Sequence, residues 1–136
     1  MKAKKFTLKT PREGFLNITQ SVRETIRESG AKSGVVVVWC AHTTSGITIH
    51  ENADPDVRSD MEKIMNHIVK ENEPYHDHVL EGSDDMPAHA KSSLFGVSIT
   101  IPITNGRLNL GTWQGIYLCE FRDYGGARSI VATIYE

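Results

Sequence analysis

Apolar and polar positions alternate along some stretches of this chain and recur every three or four residues along others, and the two periods predict its elements. Lys4, Phe6 and Leu8 alternate with Lys5, Thr7 and Lys9, which predicts a strand whose lysines discourage edge-to-edge pairing. The stretch from Pro11 to Gly14 breaks it. Ile18, Val22 and Ile26 then recur every four residues opposite Arg23, Glu24, Arg27 and Glu28, predicting an amphipathic helix that Gly30 ends. The β-branched run Val35 to Cys40 predicts a central strand buried on both faces, and Gly46 to His50 a second strand. Asp54-Pro55 supplies an N-cap and first-turn pair for a helix with Val57, Met61, Ile64, Met65 and Ile68 as its apolar stripe.

Residues 71–86 form a polar stretch without periodicity, unusually long for a loop in a small domain, a length that goes with function or mobility. A short helix is expected over Pro87 to Leu94 and a strand over Gly96 to Ile103. Asn105-Gly106 signals a type I′ hairpin leading into Leu108 and Leu110. Strands over Trp113 to Phe121 and Ser129 to Tyr135 complete the chain. Strands clustered in runs with hairpin turns predict one α+β domain over residues 1–136, mainly an antiparallel sheet or sandwich with flanking helices.

Composition narrows the classes. Apolar residues at 39% and charged residues at 24% exclude a disordered chain. Fifteen basic against seventeen acidic side chains give a net charge of −2, without the footprint of general nucleic-acid binding. The longest apolar run, Val35 to Ala41, is too short to span a bilayer, and no apolar segment follows the basic N-terminus as in a signal peptide. Cys40 and Cys119 fall inside strand-like runs and are expected to be reduced core thiols of a cytoplasmic protein.

Three places carry candidate chemistry. The turn His42-Thr43-Thr44-Ser45-Gly46 joins two apolar strands, and its hydroxyls and backbone N–H groups suit a phosphate or carboxylate. From composition alone it reads first as a Ser/Thr turn that caps its own backbone. All six histidines lie between His42 and His89, and His42, His78 and His89 have the ligand chemistry of a zinc or other divalent-ion site. Their spacing matches no local zinc motif, so they would have to converge through the fold; singly, each reads as a surface or hydrogen-bonded residue. Around Gly125-Gly126, Glu120, Arg122, Asp123 and Arg128 suit either an anion or a charged hairpin with a solvated salt bridge. Trp113 before Gln114 reads as a core aromatic or as the wall of a pocket for a planar ring. No P-loop, nucleophile elbow or dinucleotide fingerprint is present, and neither cysteine has the context of a nucleophile.

Three longer stretches, HTTSGITIHENADPDV at 42–57, YHDHVLEGSDDMPAHAKSSLFG at 75–96 and NGRLNLGTWQGIYLCEFRDYGGAR at 105–128, resemble the YjbQ family in the same order. The resemblance covers nearly the whole chain. It implies an α+β domain assembled as a homotrimer with pockets near subunit boundaries, and a weak thiamine-phosphate synthase-type activity. That reaction joins a hydroxymethylpyrimidine diphosphate to a thiazole phosphate with loss of diphosphate. The pocket positions it implies are His42, Thr43, Thr44, Glu51, Asn52, His78, Asp85, His89, Lys91, Gln114, Glu120 and Arg128.

On this reading a divalent ion (zinc, magnesium or manganese) at His42, His78 and His89 meets the diphosphate. Lys91 and Arg128 bind phosphate oxygens, Asp85 or Glu51 orients a ligating histidine, and Trp113 contacts a ring. The family's last turn usually reads Glu-Phe-Asp-Gly-Pro-Arg; here Arg122 to Arg128 is longer and lacks the proline, and His50 stands where asparagine is more usual. Two other functions fit the same residues. One is a metal-dependent hydrolase of a phosphorylated or acylated small molecule; the other is a non-catalytic module that binds a metal or a small anionic metabolite.

Overall fold

The computed structural model describes residues 2–10 and 12–136, so Pro11, part of the expected break after the first strand, lies outside the described residues. The elements run β1 (Lys2–Thr10), β2 (Gly14–Asn17), α1 (Thr19–Ser29), β3 (Ser33–Cys40), β4 (Ser45–Glu51), α2 (Pro55–Ile68), α3 (Asp85–Phe95), β5 (Ser98–Thr104), β6 (Arg107–Leu108), β7 (Gln114–Glu120) and β8 (Gly126–Tyr135). All strand pairs are antiparallel. One sheet has the order β1-β8-β3-β5-β6 and the other β2-β7-β4. The expected α+β class is therefore what the chain adopts.

Alternation along the strands builds two apolar layers. Val36, Val38 and Cys40 of β3, Ile101 and Ile103 of β5, and Ile130, Ala132 and Ile134 of β8 face inward, where Ile47, Ile116 and Leu118 of the second sheet meet them. Helix α1 closes this core with Val22 and Ile26, and the left-handed Gly30 caps it through N–H bonds to the carbonyls of Ile26 and Arg27. A smaller layer of Ala88, Cys119 and Phe121, with Phe15 and Phe95 against it, lies under α3. Helix α3 packs on β4, and the Ser92 hydroxyl donates to the Ser45 carbonyl at 2.7 Å.

Three expectations change. Strand β3 is buried on one face only, because the sheet carries no layer over Val35, Val37 and Trp39; Trp39 is 47% exposed. A short strand that was not expected, β2, starts at Gly14, the last residue of the expected break, and its Phe15 pairs with Cys119 across β7. Helix α2 is turned from its apparent stripe. Met65 is buried and Arg58, Met61, Glu62 and Val69 are half-buried, while Val57, Ile64 and Ile68 face outward. The packing surface offered by β2 and β4 is short and partly polar, so the helix seats a mixed face on it.

Candidate functional site

Helix α3 begins at Asp85, which puts Asp85 and His89 four residues apart on one face. The preceding stretch, without helix or strand from the end of α2, carries His78 back to the same face. His78 Nε2 lies 2.6 Å from Asp85 Oδ2 and His89 Nε2 lies 3.2 Å from the same oxygen. The two imidazoles meet edge to face with centroids 5.3 Å apart. One ligand atom from each of the three residues lies within 4.8 Å of the others, a spacing a single cation can bridge. Two imidazoles and a carboxylate are a donor set suited to zinc and other first-row divalent ions.

Arg122 holds the carboxylate in place. Its guanidinium reaches Asp85 Oδ1 at 3.1 Å, donates to the Glu81 carbonyl at 2.7 Å, and pairs with Asp84 at 3.4 Å. Oδ1 of Asp85 is thus occupied and Oδ2 is turned to the histidines. Burial opposes ionisation of Asp85, yet the His78 hydrogen bond and the Arg122 charge outweigh it and bring its pKa below the ordinary carboxylate value. An ionised carboxylate only accepts, so His78 Nε2 carries the proton it shares with Asp85, and that proton leaves when a cation takes the position.

A cavity of about 910 Å³ opens beside this cluster, lined by Trp39, His42, Thr43, His89, Ser92 and Ser93 among others. His42 faces the cavity but not the cluster, because its Nε2 accepts the Ser129 N–H at 2.8 Å. Its Nδ1 carries the proton of the neutral ring, and burial together with the Arg128 charge lowers its pKa. Asp85, expected to orient a ligating histidine or to act as a carboxylate base, stands in the position expected of His42.

Other expected residues lie elsewhere. Lys91 is 2% exposed and turns away from the cluster to Glu13, 3.3 Å away, and Asn66. Arg128 and Glu120 form a buried two-point pair, with Nε to Oε1 at 2.8 Å and Nη2 to Oε2 at 2.5 Å. The same guanidinium donates to Thr44 Oγ1 at 2.9 Å, so Thr44 is engaged, whereas Thr43 is exposed at the cavity. Thr10 donates to Glu120, and a side-chain carbon on Gly125 would lie 1.8 Å from Glu120 Oε1. Two charged groups expected to meet ligand instead anchor the β7–β8 turn.

Glu51, Asn52, Trp113 and Gln114 gather at the far end of the second sheet, six residues along β4 from Ser45, or roughly 20 Å by strand rise. Glu51 Oε2 accepts the Ala53 N–H at 2.8 Å, Asn52 Oδ1 accepts the Tyr117 hydroxyl at 2.9 Å, and Gln114 Oε1 accepts the Gly111 N–H at 2.7 Å. Trp113 is 64% exposed, so it is not a core aromatic of this chain. The residue missing from the expected set is Arg122. Its only sequence signal was a place in the charged turn after β7.

The fold and the cluster define a small antiparallel α+β domain carrying two histidines and an aspartate, with the donor chemistry and spacing to hold a cation, at the start of its third helix. The chain belongs to the YjbQ family: the model described as UPF0047 protein YjbQ-like matches residues 4–136. It is 44% identical over 131 residues to the UPF0047 protein YjbQ of Salmonella typhimurium, covering 94% of this chain and 93% of that one. The UPF0047 protein YugU of Bacillus subtilis is 46% identical over 112 residues, covering 82% and 83%. A crystal structure of an uncharacterized conserved protein of the family from Clostridium acetobutylicum superposes with a TM-score of 0.90 at 44% identity, covering 97% of this chain and 99% of that one. No helix of the described residues is long and apolar enough to cross a membrane.

Proposed function

We propose that the chain is a metal-assisted enzyme acting on a small phosphorylated or otherwise anionic metabolite, with a divalent cation held by His78, Asp85 and His89. The observation that carries this reading is the convergence of three donor atoms within 4.8 Å beside a cavity of about 910 Å³. A cation there supplies Lewis acidity toward a phosphoryl or carbonyl oxygen and lowers the pKa of water. The chain's own contribution is position. Arg122 fixes the Asp85 carboxylate, Ser92 ties α3 to β4, and the exposed Trp39 indole offers a flat wall to a planar group. Hydrolysis of a phosphorylated or acylated molecule is the reaction this supports best, since Lys91 and Arg128 are both committed to buried ion pairs.

A thiamine-phosphate synthase-type transfer is the second reading, favoured by Arg122. It places a fixed positive charge beside the cation site, an arrangement that suits a departing diphosphate. We also propose a cytoplasmic homotrimer. Val57, Ile64, Ile68, Leu80 and Leu94 are 37–95% exposed in one chain, which supports a covered face, and both thiols are free.

The test is metal content and turnover together. Purified protein and His89→Ala are incubated with zinc, manganese or magnesium, and retained ion is measured per chain. Each is then assayed on phosphate and carboxylate esters and on the two thiamine precursors. One ion per chain, lost in the variant, with chelator-sensitive ester cleavage supports the hydrolase. Diphosphate release that needs both precursors supports the transferase. An ion retained equally by both proteins, or by neither, overturns the site.

A further inference from the structure

A second cavity, of about 530 Å³, lies between the C-terminal end of α1 and the β5–β6 hairpin and shares no residue with the histidine cluster. Its walls carry Arg23, Arg27, Lys32 and Arg107, and no acidic side chain lines it among the described residues. In a chain of net charge −2 this is a local reversal of sign.

Intrachain contacts explain only part of it. Arg27 pairs with Glu24 and complements the carbonyl end of α1. Arg23, Lys32 and Arg107 make no ion pair among the described residues. Arg23 and Arg27 are four residues apart on the exposed face of α1, a like-charge spacing that costs a few tenths of a kcal/mol.

The walls are held in place by backbone. Asn105 and Gly106, at φ 51° and 76°, make the tight hairpin turn, and the Gly106 N–H donates to the Lys32 carbonyl at 3.0 Å. That bond pins the hairpin to the α1–β3 connection. The Gly30 N–H occupies the Ile26 and Arg27 carbonyls, so the helix end presents fewer free acceptors to an anion. Ile26 and Leu108 add an apolar lining.

We propose that this cavity binds a small molecule bearing two or more phosphates, of the nucleoside di- or triphosphate class. Its volume falls within the range of about 300–1,000 Å³ typical of small-molecule sites and exceeds what one phosphate fills. The three cations unpaired among the described residues balance more charge than a monophosphate carries, and the apolar lining accommodates a ring. Convergence on one concavity fits a compact ligand, whereas a nucleic acid strand calls for a basic stripe.

The test is calorimetric titration of His89→Ala protein with ADP in excess chelator at low salt, so that the histidine cluster takes no part and the two proposals fail separately. Saturable binding of one ADP per chain is expected, weakened by added salt and absent for adenosine. Arg23→Gln with Arg107→Gln should weaken it about tenfold or more, as loss of charge-assisted hydrogen bonds does. Lys63→Gln with Lys70→Gln, equal in charge removed, should leave it unchanged. All four positions are exposed, and a thermal melt of each variant checks the fold. No saturable ADP binding, equal weakening by the Lys63 and Lys70 changes, or displacement of ADP by a single-stranded oligonucleotide at lower phosphate concentration overturns the proposal.

Discussion

Glu120 and Arg128 meet inside the molecule, while His78, Asp85 and His89 meet at the edge of a cavity. The first pair is closed: both side chains are at most 6% exposed, and Thr10, Thr44 and the Arg122 N–H take the remaining valences. The second cluster is open, with His78 44% and His89 33% exposed around a carboxylate at 3%. The difference teaches that charge alone does not mark a functional group. What opens a group to a ligand is an unfilled valence facing solvent, and of these two clusters the histidine one has it.

Breaking the closed pair should have the largest effect on folding. Arg128→Ala leaves a buried carboxylate without its partner and should cost about 3–5 kcal/mol in chemical denaturation. The same denaturation series on Glu120→Ala with Arg128→Ala together should show a loss smaller than the sum of the single changes.

The open cluster should respond in the opposite sense. Asp85→Asn should lower zinc affinity by more than about 100-fold, beyond the range seen for residues that only orient a ligand, when measured by competition with a chelating dye. Gly125→Ala tests the packing above the closed pair. Crowding Glu120 Oε1 should cost about 1–3 kcal/mol in the same denaturation assay while metal affinity stays unchanged.

The smallest effect concerns Glu62, on the side of α2 that faces Glu13. Burial and then the Glu13 charge raise its pKa, so the folded state holds its proton more tightly than the unfolded state does. The stability it contributes is fully present below the unfolded value and is lost as pH rises through the raised one. Glu62→Gln should flatten this decline above the ordinary carboxylate range, by a few tenths of a kcal/mol for a partly exposed group, in melts compared across pH.

Apart from the short β2 and the buried face of α2, the strands and helices followed their periods, because alternation and fourfold recurrence are properties of single elements. What depended on neighbours did not. Val35 to Cys40 reads as doubly buried because all its members are apolar, but the number of layers over a sheet is decided by the rest of the chain. Asp85 was assigned to the loop because Pro87 marked the helix start. A helix beginning two residues earlier turns Asp85 and His89 into partners four apart, a spacing visible in the sequence once the boundary is known. Lys91 and Arg128 carried the right charge for phosphate, and only the positions of Glu13 and Glu120 in space show that they are already paired.

The two thiols give the molecule a built-in clock. Cys40 sits between the sheets and Cys119 under α3, each at most 1% exposed, and burial raises both above the usual thiol range. Neither reacts with a thiol reagent until its layer opens, so the two labelling rates read out separately how often each half of the molecule breathes.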